Sequence, residues 1–181
     1  MSDVKSIIAK YPDHNVYVTG YSLGAALSTI TAFYLACEDD ETVPKPVSNI
    51  NFGSPRVGGW RVSEAVHCLE KGKQLRVLRS INENDNVTTL PHGRFYHVGH
   101  QITCYTDGWF KKNIAPEFIY MNPKSSFFSR WSKYRTNSII GNLNLSSDHN
   151  IGDYLKRIVQ SKPYLEKKSL NQMYLDNKVF E

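Results

Sequence analysis

An α/β fold built on a parallel sheet is predicted by two features of the sequence. Short apolar, β-branched runs at 15–19, 47–52 and 75–81 alternate with helical patterns at 23–37 and 62–70, the signature of βαβ units. Turn-forming stretches then follow the ends of those runs, at 20–24, 53–59 and 82–86, and in such sheets functional residues collect beyond the carboxyl ends of the strands. A chain of 181 residues is long enough for one domain with its own core.

Taken in order, residues 3–11 read as a helix. Asp3 can cap it, and Val4, Ile7, Ile8 and Tyr11 fall on one face before Pro12-Asp13 ends it. The strand at 15–19 is apolar enough to suit a sheet interior better than an edge. The helix at 23–37 is apolar around much of its girth and is expected to be well buried. Glu38 to Pro46 is an acidic, proline-containing loop. Val47 to Phe52 is the second strand, and Gly53 to Gly59 the turn beyond it. The helix at 62–70 places Val62, Ala65, Val66 and Leu69 together. Leu75 to Ile81 is the third strand, Asn82 to Asn86 a polar loop, and 95–98 with 101–105 a further strand broken at Gly99.

Residues 106–147 leave the alternation. Trp109, Phe110, Phe127, Phe128 and Trp131 are interleaved with Lys111, Lys112, Arg130, Lys133 and Arg135. Such a segment is either a surface excursion whose aromatics pack down, or a lipid-surface contact through 109–135, with aromatics entering the interface and cations meeting anionic headgroups. Asp148 then caps a last helix, to about Gln160, that turns Ile151, Tyr154, Leu155 and Ile158 inward. The domain is expected to span 1–160, and the lysine-rich residues 161–181 to form a loosely attached tail.

Several function classes are excluded by composition. No apolar run approaches the roughly 20 residues of a membrane-spanning helix, so no transmembrane segment is predicted. The start, Met-Ser-Asp-Val-Lys, is neither a signal nor a transit peptide. Cys37, Cys68 and Cys104 are widely spaced and odd in number, which suggests buried free thiols rather than a disulfide framework or a zinc site. The net charge of +5 comes with no long Lys/Arg run and no nucleic-acid module, so no nucleic-acid partner is expected.

One motif carries chemistry. Gly20-Tyr21-Ser22-Leu23-Gly24 has the form G-x-S-x-G between a strand and a helix, the pattern of a nucleophile elbow that pushes a serine hydroxyl into the open. It lacks the G-K-[ST] ending of a phosphate loop and the third glycine of a dinucleotide fingerprint. Gly20 and Gly24 are small enough to let strand and helix approach, and Ala25 and Ala26 let the helix lie close to the sheet. A serine hydroxyl needs a base to take its proton and a carboxylate to orient that base, and in α/β hydrolases these follow in the order serine, acid, histidine. His14 precedes the serine, His67 lies within a helix, and His92, His97 and His100 come too early to leave room for an acid loop. His149 follows the last strand and opens a helix. For the acid, Asp107 follows the last strand instead of preceding it, and Asp148 adjoins the histidine and is better explained as a cap. Asp85 directly follows the third strand. Asn86-Val87-Thr88 and Asn144-Leu145-Ser146 match the glycosylation pattern, but a glycan on Asn86 would crowd the acid loop.

With these residues assembled, the chain resembles the C-terminal half of a class 3 lipase, the family of fungal triacylglycerol lipases. Val18 to Leu27 matches the family's elbow, which usually carries His at the place of Tyr21. Asn51 to Gly58 resembles the stretch after the next strand, and Asn84-Asp85-Asn86-Val87 with Leu90-Pro91 its acid loop, where proline is usual in place of Asn86. Phe95 to Gly99 resembles its last strand, and Asp148-His149 with Tyr154-Leu155 its histidine motif. The resemblance implies an α/β-hydrolase-like fold with a partial parallel sheet, later strands only, flanked by helices. It implies a Ser22, Asp85, His149 triad that cleaves acyl esters of lipids such as triacylglycerol through an acyl-enzyme, without metal or cofactor. Phospholipid, galactolipid and other esters stay open as substrates. The backbone N–H of Leu23 would be one oxyanion donor. Members carry a substantial portion before the elbow that supplies the second donor, so this chain is expected to be part of a longer gene product. The alternative is a truncated, catalytically impaired lipase-like module that binds lipid or a partner.

Overall fold

The computed structural model describes residues 2–105, 115–121, 148–176 and 179. Five strands form one sheet in sequential order: β1 (Tyr17–Tyr21), β2 (Val47–Phe52), β3 (Leu75–Asn82), β4 (His100–Cys104) and β5 (Glu117–Tyr120). The first four are parallel and β5 runs antiparallel to β4. Among the described residues five helices accompany them: α1 (Ser2–Ile8), α2 (Leu23–Cys37), α3 (Trp60–Lys71), α4 (Ile151–Leu165) and α5 (Leu170–Asp176). The crossovers through α2 and α3 link parallel neighbours, as parallel pairing requires.

The helices cover both faces. Leu75 and Val77 of β3 join Ala32, Leu35, Ala36, Val47 and Val66 in one cluster beneath α2 and α3. Leu78, of opposite parity along the strand, joins Ile102, Cys104, Met173 and Ile158 in a second cluster beneath α4 and α5. The alternation along β3 therefore points to two cores, one on each face.

Several expectations are corrected. β1 lies at the sheet edge with Tyr17 exposed, not in its interior. α2 keeps its expected bounds but buries only one side; Leu23, Leu27, Ile30 and Tyr34, at i, i+4, i+7 and i+11, line its outer face in solvent. α1 stops at Ile8 and buries no residue fully. The strand expected at 95–98 is a single bridge between Gly58 and Tyr96. β5 was not anticipated. On α4, Tyr154 is buried, but Ile151 and Leu155 are exposed. Its cap is Asn150, whose side chain accepts from the Gly152 N–H at 2.7 Å, whereas Asp148 pairs with Arg157 at 2.9 Å. Of the free thiols only Cys104 is buried; Cys37 and Cys68 are exposed. Trp109, Phe110, Phe127, Phe128 and Trp131 lie outside the described residues. Within the excursion, Phe118 packs on the second core and Tyr120 is tied into a buried polar cluster.

That cluster also replaces the expected loose tail. Met173 and Tyr174 of α5 are buried. β4 begins at His100, opposite Leu78, so the N–H of Val77 falls just short of the β3–β4 ladder. It donates instead to the Tyr174 hydroxyl at 2.8 Å and to Glu70 Oε1 at 3.2 Å. Tyr174 donates to the same carboxylate, and Tyr120 donates to its other oxygen at 2.8 Å. The composition of 161–181 gave no sign of this, because it is one phenol, 104 positions from its partner, that fixes the segment.

Burial pushes the Glu70 carboxyl up to about 7, against the opposing pull of Tyr174, Tyr120, the Val77 N–H and Arg79. The folded state thus holds this proton more tightly than the unfolded chain. The associated stability is fully present below about 4.5 and is lost as pH rises through about 7. Urea unfolding at a series of pH values is expected to show a stability decline over that window, and Glu70→Gln to flatten it.

Candidate active site

The site begins with a turn that departs from ordinary backbone geometry. Ser22 has φ 56° and ψ −124°, a conformation that L-residues adopt only when their surroundings hold it. The surroundings are visible. The Ser22 N–H donates to the Phe52 carbonyl at 3.0 Å, and its own carbonyl accepts from Ala25 and Ala26 at 3.0 and 3.3 Å. A Cβ on Gly20 would stand 2.1 Å from the Gly24 carbonyl oxygen, so only glycine lets β1 run this close to α2. Gly24 is different: a Cβ there would meet nothing within 4 Å. Of the two turn glycines, Gly20 alone is required by packing. Leu23 is exposed, and as the first residue of α2 its N–H has no intrahelical acceptor.

Asp85 sits at the mouth of β3, capping the short 3-10 turn Asn86–Thr89. Its side chain is fully buried. Oδ1 accepts from the Val87 N–H at 2.9 Å. Oδ2 accepts twice, from His149 Nδ1 at 2.8 Å and from the Tyr154 hydroxyl at 2.5 Å. His149 Nε2 lies 2.7 Å from Ser22 Oγ. A carboxylate only accepts, so Nδ1 carries the proton and Nε2 accepts from the serine hydroxyl. The structure therefore brings Ser22, His149 and Asp85, selected from the sequence by motif, order and setting, into one chain of hydrogen bonds.

Three contributors were missed by sequence reasoning. Tyr154, read from the sequence as part of a helix face and of the histidine motif but given no role, donates to Asp85 and accepts from the Asn82 N–H at 3.2 Å. Burial, reinforced by the charge of Asp85, pushes its phenol well above the usual range, so it stays a donor. Gly53 has φ +61°, and a Cβ there would crowd His149 Cε1 at 3.1 Å and Asp85 Oδ2 at 3.2 Å. Tyr21 stacks on the His149 ring, centroids 5.0 Å apart and planes 20° from parallel, and donates to the His149 carbonyl at 2.5 Å. The glycine was readable as a turn; the tyrosines carried no local signal. Elsewhere, His97 is buried against the Thr88 carbonyl, 2.7 Å away, and His100 against Met173, at 3.1 Å. Both serve as core polar groups outside this chain of bonds. Among the described residues no group of His, Cys, Asp and Glu could hold a metal ion, and no helix is long and apolar enough to cross a membrane.

Comparison with known proteins shows the family and the fold. The family model for Lipase (class 3) matches residues 1–95. A rice (Oryza sativa subsp. japonica) protein named phospholipase A1-II 6 is 34% identical over 117 residues, covering 59% of this chain and 28% of its own. The chain spans 28% and 26% of the lengths of the first two curated relatives it matches. The crystal structure of a lipase from Rhizopus microsporus var. chinensis superposes with a TM-score of 0.59 at 22% identity, over 84% of this chain and 50% of that one; this likeness establishes the fold. A triacylglycerol lipase whose catalytic centre is formed by a serine protease triad superposes with a TM-score of 0.50 at 26% identity, over 59% of this chain and 39% of its own.

The packing makes two predictions. Gly20→Ala should lower stability by at least about 3 kcal/mol through overpacking, whereas Gly24→Ala should stay within about 1 kcal/mol, aided by helix propensity; urea unfolding separates them. Tyr154→Phe deprives a buried carboxylate of a donor and should cost about 1–3 kcal/mol in the same assay.

Proposed function

Because the chain belongs to the class 3 lipase family, we propose that it is a serine ester hydrolase acting on acyl esters of lipids, with Ser22 as nucleophile, His149 as base and Asp85 as the orienting acid. The reading rests on one observation above all. The hydrogen-bond chain from Ser22 Oγ through both ring nitrogens of His149 ends on a buried carboxylate.

In the proposed reaction His149 Nε2 takes the proton of Ser22 Oγ as the oxygen attacks the ester carbonyl. Asp85 keeps the proton on Nδ1 and balances the charge of the imidazolium. The N–H of Leu23 faces the oxyanion as it forms. The protonated His149 then gives its proton to the departing alcohol, leaving the acyl group on Ser22. Water, deprotonated by His149, attacks that ester and releases the fatty acid. The rice relative's name favours phospholipid as the first substrate to try, and the structural neighbour favours triacylglycerol. Both have the acyl ester this chemistry needs.

A fluorophosphonate probe is expected to label the folded protein on Ser22, as read by peptide mass spectrometry. Ser22→Ala should abolish labelling, and His149→Ala should slow it by about 10³-fold or more. A folded protein that the probe leaves unlabelled would return the reading to a lipase-like module that binds lipid without cleaving it.

A further inference from the structure

Hydrogen bonds at Nδ1 and Nε2 fix where the two ends of the His149 ring sit, but they leave the ring free to rock about the line joining them. Something must hold its plane. The neighbouring segment does not: Asp148 is held through its carbonyl by Asn82 Nδ2 at 2.9 Å and through its carboxylate by Arg157, and Asn150 caps α4. These ties stop at the main chain or point away from the imidazole.

We propose that Tyr21 is the positioning residue that sets the plane of the His149 imidazole and ties its loop to the nucleophile strand, an inference that rests on the proposed hydrolase reading. Tyr21 is the last residue of β1 and the immediate neighbour of Ser22. Its hydroxyl donates to the His149 carbonyl at 2.5 Å, across 128 positions of sequence. Its ring lies 20° from parallel to the imidazole at 5.0 Å, so rocking would drive one ring into the other. Burial, and secondarily the charge of Asp85, raises the Tyr21 phenol above its usual value and keeps it a donor. Tyr21 meets Tyr154 edge to face at 5.8 Å. Tyr154 meets the imidazole only edge to face, at 6.5 Å, and its hydroxyl goes to the acid; the stacked face and the carbonyl tie come from Tyr21. When His149 takes the serine proton, the Tyr21 ring face is also where the new positive charge is best received.

The test uses the full chain and a fluorophosphonate probe, separating the maximal inactivation rate from the probe's half-saturation concentration. Tyr21→Phe keeps the stack and loses the tie; its maximal rate should fall about 3–10-fold. Tyr21→His should fall similarly, and Tyr21→Leu, which loses both contacts, about 30–100-fold. Half-saturation should stay within about twofold in all three, with the urea midpoint of the Phe and His variants close to the native value. A native-like rate in Tyr21→Phe and Tyr21→His together, or a loss confined to half-saturation, overturns the proposal. A second readout does not depend on turnover. In proton NMR the carbon-bound ring protons of His149 should be shielded in the native protein and in Tyr21→Phe, and should lose that shielding in Tyr21→Leu. If the probe never labels Ser22, the hydrolase reading fails while this signal still decides whether Tyr21 holds the ring. Unchanged His149 shifts in a folded Tyr21→Leu protein overturn it.

Discussion

The close approach of β1 and α2 at Gly20 is the constraint on which the rest depends. It forces the chain to reverse within one residue, and Ser22 takes up the reversal in a strained conformation. Such a turn persists only if both arms are held. They are held by directed bonds as well as by apolar contact. Asn49 of β2 donates to Ser28 Oγ at 2.9 Å and to the Val18 carbonyl at 3.1 Å, and its Oδ1 accepts from Thr29. Asn51 donates to Thr29 Oγ1 at 3.0 Å. Buried amides thus lock α2 to the sheet in one register, where an all-apolar contact could slide.

From that fixed hydroxyl the site is built outward by partners that come from far along the chain. Asp85 arrives on the loop after β3 and His149 on the loop before α4. Neither is held by the serine alone. Asp85 uses both carboxylate oxygens on protein donors, and His149 is held at both nitrogens, its ring face and its carbonyl. Protein donors on both oxygens of the buried Asp85 carboxylate make the arrangement single-valued, since a missing donor there would be costly.

Much of the fold could be read from local pattern. β2 and α2 have their expected bounds, since a strand bounded by turns and a helix bounded by an elbow and an acidic loop mark their own ends. The choice of Asp85 and His149 followed from chain order and setting, and the structure joins Asp85 to Ser22 through His149. What escaped was decided by neighbours. Periodicity shows which residues of α2 are apolar, not how many of its sides are covered, so the exposed row from Leu23 to Tyr34 could not be foreseen. Asp148 has the chemistry of a cap but is taken by Arg157, leaving Asn150 to do it. Tyr21, Tyr154 and Tyr174 act through hydroxyls whose partners lie 128, 69 and 104 positions away, and no local window contains such information.

The way α4 and α5 are attached has a consequence for the integrity of the site. Among the described residues neither helix links two strands of the sheet. The segment 148–176 is joined to the remainder by the second core and by side-chain bonds from Asn82, Asp85, Tyr21 and Glu70. These contacts hold the segment that carries His149 against the strands that carry Ser22 and Asp85. The domain is therefore a pair of complementary pieces, one carrying the serine and the acid, the other the histidine.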